Sequence, residues 1–188
     1  MQLIADPLFE IGSHGWSHRN LRRMNGRHLY SEIDGVQSAY ERITAKLRAR
    51  ACMQQVGFGL FAQPISKPKR LSLFRFPFGA CSKAALNAVH ERGLLAIQWD
   101  VVTGDPAFGQ SAGRIARVVL SQAKPGSIII AHANGRGRNT AKALPLIIPK
   151  LRAKGYKFVT VSELLAAGEP VIANSCYENR PGDNAHYR

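Results

Sequence analysis

Apolar residues recur every three or four positions between residues 29 and 47, which is the period of one face of an α-helix. The positions are Leu29, Ile33, Val36, Tyr40, Ile43 and Leu47. This spacing predicts an amphipathic helix of about five turns. The stretch that follows is punctuated by glycine and proline, which predicts a loop. Its turn-forming residues are Gly57, Gly59, Pro64 and Pro68.

Farther along the chain, apolar runs of strand length alternate with helical segments. The predicted strands are 71–74, 94–99, 127–131 and 157–161. The predicted helices are 82–92, 111–121, 140–154 and a short last helix from Ser162. Pro145 and Pro149 predict a kink in the 140–154 segment, or its division into two short helices. Apolar strands separated by helices are typical of a parallel sheet covered by helices, either open or closed into a barrel.

Composition narrows the classes of protein that this chain can represent. It has 188 residues, of which 45% are hydrophobic, and this excludes a disordered or collagen-like chain. No apolar run approaches the roughly 18 residues of a membrane-spanning helix, and the first residues lack the pattern of a signal peptide. From this chain alone we expect a cytoplasmic protein without a transmembrane segment. No linker divides it, so we expect one domain at residues 1–168 and an irregular tail at 169–188.

The net charge of +14 is the strongest compositional feature. A basic surface attracts polyanions, but the Lys and Arg residues are spread along the whole chain without an aromatic-interleaved stripe. We therefore expect no nucleic-acid binding. The cysteines, Cys52, Cys81 and Cys176, form no C-x-x-C pair, and we expect them to be buried as small apolar side chains rather than to form a disulfide framework.

Two segments near predicted strands contain candidate chemistry. His14 and His18 lie four residues apart, and on a helical turn this spacing would bring both imidazoles to one side, where they could hold a divalent metal. Histidines at this spacing are also common as surface or capping residues. In residues 75–79, Arg75 could orient a carboxylate and a backbone N–H of the turn could face an oxyanion, although ordinary loop chemistry explains the same residues.

A third candidate ends the predicted strand 127–131. His132 follows that strand directly and could act as a general acid or base, because parallel α/β folds place their active sites at the carboxyl ends of strands. A structural histidine is the alternative interpretation.

In this order and at these separations, the three segments resemble the polysaccharide deacetylase family, carbohydrate esterases that include chitin, peptidoglycan and nodulation-type chitooligosaccharide deacetylases. Residues 14–18 resemble the family motif H-[ST]-x-x-H, with Gly15 where Ser or Thr is usual. Residues 75–79 match R-x-P-[YF]-G, and Ile130 with His132 fits an apolar residue two before a histidine.

The family motif D-x-x-D-W is only partly present. Asp105 fits its second Asp, whereas Val102 and Pro106 stand in place of the first Asp and the Trp. Residues 155–164 also resemble the last strand and helix of the family domain. The resemblance extends over residues 10–165.

This resemblance implies a distorted (β/α) barrel that removes N-acetyl groups from N-acetylglucosamine polymers with the help of a divalent metal. Zn²⁺ is the expected ion, with Co²⁺, Ni²⁺ and Mn²⁺ as alternatives. His14 and His18 would ligate the metal, and His132 would protonate the leaving amine. Asp105 would tune that histidine, and Arg75 would steer the catalytic carboxylate.

Three further residues receive roles from the resemblance. The backbone N–H of Phe78 would help to hold the oxyanion, and Ile130 would line the pocket for the acetyl methyl group. Trp99 would form an apolar floor, although a core tryptophan is the alternative. The expected partner is an N-acetylated glycan, and the sequence indicates no oligomeric state.

The family's first motif, a strand ending in Asp-Asp, has no counterpart in this chain. It supplies the catalytic base and the third metal ligand, yet the sequence contains no Asp-Asp pair, and Asp6 and Glu10 are the only acids near His14. We therefore expect a barrel without its N-terminal strand or strands and little activity from this chain by itself. The family activity would belong to a longer version, which could carry an export signal. The alternative is a catalytically inactive carbohydrate-binding or degenerate family member.

Overall fold

The structure, a computed structural model, describes residues 6, 8–57 and 70–177. The helices are α1 (Gly26–Gly57), α2 (Lys83–Glu91), α3 (Ala112–Gln122), α4 (Thr140–Ala153) and α5 (Val161–Ala166). The strands are β1 (Leu73–Phe74), β2 (Leu95–Ala96), β3 (Val101–Val102) and β4 (Ile129–Ile130). Most of the loop predicted around Gly59, Pro64 and Pro68 lies outside the described residues. The chain divides into two compact units, one of residues up to Ile97 with Asn174–Cys176, the other beginning at Gln98.

In the first unit, β1 is the middle of three parallel segments. Leu73 is in register with Leu95 of β2, and Phe74 pairs on the opposite edge with Ser13. Helix α1 contributes Leu29, Ile33 and Tyr40 to the core, as its spacing predicts. Thr44 is buried in place of the expected Ile43, and its hydroxyl donates to the Tyr40 carbonyl. The remaining core residues are Leu21, Leu71, Phe74, Phe76, Ala85, Ala88, Val89, Leu94 and Cys176.

In the second unit, β3 and β4 pair in parallel, with Val101 opposite Ile129. Helices α3 and α4 pack beside this pair. Ser111 caps α3, because its hydroxyl accepts the Arg114 amide at 3.2 Å. The core of this unit consists of Val101, Ile115, Ala116, Val119, Ala143, Ile147 and Leu151. The helices predicted at 111–121 and 140–154 and the strand predicted at 127–131 are therefore confirmed, whereas β3 falls outside the predicted strands.

Two predictions in the second unit are wrong. Helix α4 is one continuous helix through Pro145 and Pro149, so the expected division into two short helices does not occur. Both prolines are exposed and lie four residues apart on the outer face of the helix, whereas Ile147 and Leu151 are buried in the core.

Residues 157–160, which belong to the described part of the chain, form no strand. Phe158 and Val159 of that apolar run are exposed. Thr160 instead caps α5, since its hydroxyl accepts the Glu163 amide and the Glu163 carboxylate accepts the Thr160 amide.

The expectation of unpaired cysteines is also wrong. Cys81 and Cys176 form a disulfide with a Cα–Cα distance of 5.6 Å. Their separation of 95 residues hides the pair in the sequence, because it forms only where the chain rejoins the first unit at Asn174–Cys176. The side chain of Cys52 is not among those that the structure describes. None of the described helices combines the length and the apolar character needed to cross a bilayer.

Candidate functional site

The two candidate metal ligands meet on a turn that follows Ser13. Gly15 and His18 both have positive φ, +76° and +55°. Glycine adopts that conformation freely, whereas at His18 it carries strain of the kind that collects at functional sites. The two imidazole rings lie edge to face with centroids 4.9 Å apart. The predicted helical turn is therefore wrong for the backbone, although the rings do come together.

The backbone of Arg75 orients one of these rings. Nδ1 of His14 lies 2.7 Å from the carbonyl oxygen of Arg75, so it carries the proton and the lone pair is on Nε2. A neutral imidazole oriented in this way is the usual form of a histidine ligand to zinc. The two histidines thus fit two ligand positions of a divalent ion. Within residues 6, 8–57 and 70–177, no group of three or more His, Cys, Asp or Glu side chains is arranged to hold a metal.

Glu32 of α1 holds the same turn, and sequence reasoning missed it. One carboxylate oxygen accepts the Ser17 amide at 2.8 Å, the other accepts the Ser17 hydroxyl, and the Glu32 carbonyl accepts the Trp16 amide at 2.9 Å. The side chain is buried. Its signal in the sequence is an acid on the inward stripe, three residues after Leu29 and four before Val36.

The predicted oxyanion turn follows β1 directly. Arg75 donates its backbone N–H to the Ser13 carbonyl at 2.8 Å, and burial lowers the pKa of its guanidinium. Phe78 has φ +61° and is exposed, and its ring contacts the His18 ring edge to face at 4.8 Å. The structure therefore brings four predicted site residues together within the first unit: His14, His18, Arg75 and Phe78.

The second unit contains a carboxylate and histidine pair. Asp105 comes three residues after the end of β3, and His132 two residues after the end of β4. Nδ1 of His132 lies 2.8 Å from one Asp105 oxygen, and the His132 amide donates to the other at 2.6 Å. Asp105 is buried, whereas about a third of the His132 side chain is exposed (34%). Parallel pairing of β3 and β4 thus produces the juxtaposition.

Two threonines, also missed by sequence reasoning, complete the surroundings of Asp105. The Thr140 hydroxyl donates to the carboxylate at 2.6 Å, and the Thr103 hydroxyl lies 3.1 Å from it. Burial alone raises the pKa of Asp105, but the hydrogen bonds from Thr140, from the backbone and ring of His132 and from Thr103 outweigh it. The pKa of Asp105 is therefore below its ordinary value, and the group is a fixed negative charge beside His132.

Gly137 closes the loop that carries His132. A Cβ at this position would collide with the carbonyl oxygen of His132 and press on the Thr140 hydroxyl, so only glycine fits. Two other predicted site residues lie in this unit. Ile130 is half-buried at the end of β4, and Trp99 is buried just before β3.

Comparison with known proteins identifies the class of this fold. No protein-family model matches the chain. It is 30% identical over 155 residues to the peptidoglycan-N-acetylglucosamine deacetylase PgdA of Listeria monocytogenes, covering 82% of this chain and 27% of that protein. It is 29% identical over 161 residues to the chitooligosaccharide deacetylase of Azorhizobium caulinodans, covering 78% and 64%. The chain therefore spans less than two thirds of the length of these relatives.

A solved structure agrees with these sequence relationships. A peptidoglycan N-acetylglucosamine deacetylase in complex with an N-oxidanyl-benzamide superimposes with a TM-score of 0.65 at 27% identity, over 83% of this chain and 63% of that chain. The expected distorted α/β barrel of the deacetylase type is confirmed. The class is that of carbohydrate deacetylase domains, and the chain belongs to the polysaccharide deacetylase family.

Proposed function

We propose that this chain carries the chemistry for hydrolysing N-acetyl groups of N-acetylglucosamine-containing oligo- or polysaccharides. The observation that carries the proposal is the contact between the buried Asp105 carboxylate and the ring of His132 at the ends of adjacent parallel strands. In a family whose named members are deacetylases of peptidoglycan and chitooligosaccharides, such a pair suits protonation of a leaving amine.

In the proposed deacetylase chemistry, the metal site lies in the first unit. His14 and His18 would hold a divalent ion, for which Zn²⁺ is the first choice and Co²⁺, Ni²⁺ and Mn²⁺ take the same nitrogen donors. When bound, the ion supplies polarisation of the acetyl carbonyl and a more acidic water. The bond from His14 Nδ1 to the Arg75 carbonyl supports this role, since it leaves Nε2 to the metal.

His132 acts as the general acid in this proposal. The Asp105 carboxylate accepts a hydrogen bond from Nδ1–H of His132. This bond orients the ring and stabilises its charged form. Nε2–H then donates to the amine nitrogen as the C–N bond breaks. The neutral amine leaves more easily than an amide anion, so this proton lowers the barrier.

The remaining predicted residues prepare the reacting groups. Arg75 steers a catalytic carboxylate, and the backbone N–H of Phe78 donates to the oxyanion. Ile130 lines the space for the acetyl methyl group, and Trp99 supplies an apolar floor. Phe78 has a positive φ, which is strained for a residue other than glycine. Such strain is common at functional sites and supports a functional role for this turn.

The catalytic base and the third metal ligand are not among these residues. The described part of the chain offers no third ligand, which favours a second candidate, a glycan-binding protein without turnover. The deacetylase proposal therefore includes low activity of the 188-residue chain by itself. A small carboxylate such as formate, added to the solution, would act in place of the missing base.

Acetate release from chitohexaose, measured with zinc and formate present, tests the proposal. His132→Ala is expected to lower the rate by roughly 10²- to 10⁴-fold, the usual contribution of a general acid. Arg117→Gln, which removes an exposed charge from α3, is the control and is expected to keep the wild-type rate. Binding of chitohexaose that is insensitive to chelators, with no acetate released, would establish the second candidate.

The disulfide supports a location outside the cytoplasm. Disulfides such as Cys81–Cys176 persist in oxidising compartments and are rare where glutathione keeps thiols reduced. We therefore propose an extracytoplasmic location, in preference to the cytoplasmic one expected from the sequence. Alkylation of whole cells with a thiol reagent before and after reduction would report the state of the two cysteines.

A further inference from the structure

The two oxygens of the Asp105 carboxylate have different partners. Oδ1 lies 2.8 Å from Nδ1 of the His132 ring. Oδ2 accepts the His132 amide and the Thr140 hydroxyl, each at 2.6 Å. Asp105 is only 2% exposed, so these contacts are made away from bulk water. Thr140 therefore binds the oxygen that does not hold the ring.

The Thr140 hydroxyl gives its whole hydrogen bond to Asp105. A hydroxyl has one proton to donate. The Thr103 hydroxyl divides that proton between two acceptors, because it lies 2.7 Å from the Ile130 carbonyl and 3.1 Å from Asp105 Oδ1. Among the residues that the structure describes, the acceptor of the Thr140 hydroxyl is Asp105. Thr140 is thus the stronger of the two hydroxyl donors to this carboxylate.

The start of α4 holds Thr140 in place. Thr140 is the first residue of that helix, and its amide donates to the Gly137 carbonyl at 3.2 Å. The preceding residue, Asn139, donates its side-chain amide to the Gln110 carbonyl at 2.8 Å. This bond ties the start of α4 to the loop that follows Asp105. The hydroxyl of Thr140 therefore reaches Oδ2 from a fixed backbone.

We propose that Thr140 is a positioning residue for the ring of His132 and acts through Asp105. An aspartate carboxylate turns readily about its last side-chain bond, because the minima of that torsion are broad. The two bonds on Oδ2 stop this rotation and leave Oδ1 to Nδ1–H of His132. The bond at Nδ1 fixes the tautomer and the direction of Nε2, the atom that reaches the amine. This inference rests on the proposed function, since His132 is the general acid of that reaction.

The ring ¹⁵N signals of His132 test this positioning without any reaction. They are measured on the ¹⁵N-labelled 188-residue chain at a pH at which the ring is neutral, and they distinguish the Nδ1–H tautomer from the Nε2–H tautomer. We expect the Nδ1–H form in the wild type. Thr140→Val keeps the shape but removes the donor, and it is expected to give a mixture of the two tautomers. Thr140→Ser, which keeps the hydroxyl, is expected to restore the Nδ1–H form.

Thr160→Val is the matched control for this measurement. It makes the same change at another threonine of the second unit, where the lost hydroxyl accepts the Glu163 amide and caps α5. Loss of that cap is expected to lower stability. The ring signals of His132 are expected to stay as in the wild type, so the control separates loss of stability from loss of positioning.

The kinetics of the same variants separate orientation from binding. With chitohexaose, zinc and formate, Thr140→Val is expected to lower kcat about tenfold and to leave KM unchanged. A misdirected acid slows proton transfer, whereas the contacts that bind the glycan are untouched. Thr140→Ser is expected to keep the wild-type kcat.

Three results would overturn the inference while leaving the proposed function intact. They are a wild-type tautomer in Thr140→Val, an equal change of the His132 signals in Thr160→Val, and a Thr140→Ser variant that behaves like Thr140→Val. If the wild type releases no acetate, the proposed function fails, and the tautomer alone decides whether Thr140 positions the ring. If Thr140→Val does not fold, Thr140→Ala, with its smaller side chain, decides the question by the same signals.

Discussion

Asp105 shows how neighbouring donors determine the chemistry of a single carboxyl group. Burial by itself favours the neutral form, yet the amide and ring of His132 and the hydroxyl of Thr140 all point at the two oxygens. The carboxylate therefore stays charged, and its charge in turn selects the tautomer of His132. In the proposed mechanism, the same contacts of Asp105 therefore serve both catalysis and stability.

The pH dependence of unfolding should show how much the charged Asp105 carboxylate contributes to stability. The folded pKa of Asp105 is lowered, so its contribution to the unfolding free energy is complete above the unfolded pKa of about 4 and is lost as the pH falls below it. Asp105→Asn should cost about 1–3 kcal/mol at pH 7 and flatten the loss between pH 5 and pH 3. Urea unfolding at each pH measures both effects, and Glu169→Gln is the exposed control. An Asp105→Asn variant that lost stability in acid as steeply as the wild type would contradict this assignment.

Glu32 controls the turn that carries the candidate metal ligands. Glu32→Ala should leave the Ser17 amide and hydroxyl unpaired and weaken zinc binding about tenfold, because groups that orient metal ligands commonly contribute that much. Zinc titration followed by the imidazole NMR signals of His14 and His18 is the measurement. Glu41→Ala, an exposed position on the same helix, is the control. Unchanged zinc affinity in Glu32→Ala would limit this residue to a role in stability.

At the scale of elements, β3 and β4 with the loops after them bring Asp105 and His132 together. Parallel register brings the ends of the strands together, and the loop from His132 to Thr140 folds back tightly enough to require glycine at position 137. This loop therefore fixes both ends of the hydrogen-bond network around Asp105.

Substitution of the loop glycines distinguishes a tight fit from general loop flexibility. Gly137→Ala should lower the unfolding free energy by about 1–3 kcal/mol and shift the NMR signals of the His132 ring, since the new Cβ meets the His132 carbonyl. Gly135→Ala, where a Cβ meets nothing within 4 Å, should be nearly neutral. Equal effects of the two substitutions would rule out the steric explanation.

Periodicity and capping predicted most of the elements, because these signals are local. Ser82 caps α2 through the Ala85 amide, and Gly93 follows it with a positive φ, as the sequence predicts. The prediction of a strand at 157–161 is wrong, because an apolar run alone does not show whether another element packs against it. The turn at His14 and His18 depends on Glu32, and the disulfide depends on a distant return of the chain, so neither could be derived from nearby residues.

At the scale of the whole molecule, the disulfide closes the chain across most of the second unit. The chain leaves the first unit after Ile97 and rejoins it at Asn174, and Cys176 then bonds to Cys81 near the Phe78 turn. Because this crosslink closes a loop of 95 residues, it restricts the unfolded chain strongly. The first unit therefore depends on a covalent bond to its own last residues.

Removal of the disulfide is expected to lower stability substantially. The double change Cys81→Ser and Cys176→Ser should cost about 5 kcal/mol, the scale for a loop of this length. Urea unfolding with and without dithiothreitol measures it. The reductant should destabilise the wild type and leave the double variant unchanged, and a wild type that ignores the reductant would contradict the role of the bond.

The central claim is the proposal that this chain carries deacetylation chemistry and that none of the carboxylates in its described residues serves as the catalytic base. The most direct measurement is the rate of acetate release from chitohexaose by the 188-residue chain with zinc, as a function of formate concentration. We expect little release without formate and a saturable rise with it. A high rate that does not respond to formate would show that a base is already in place. No release at any formate concentration, with the glycan bound, would contradict the claim and leave a carbohydrate-binding protein.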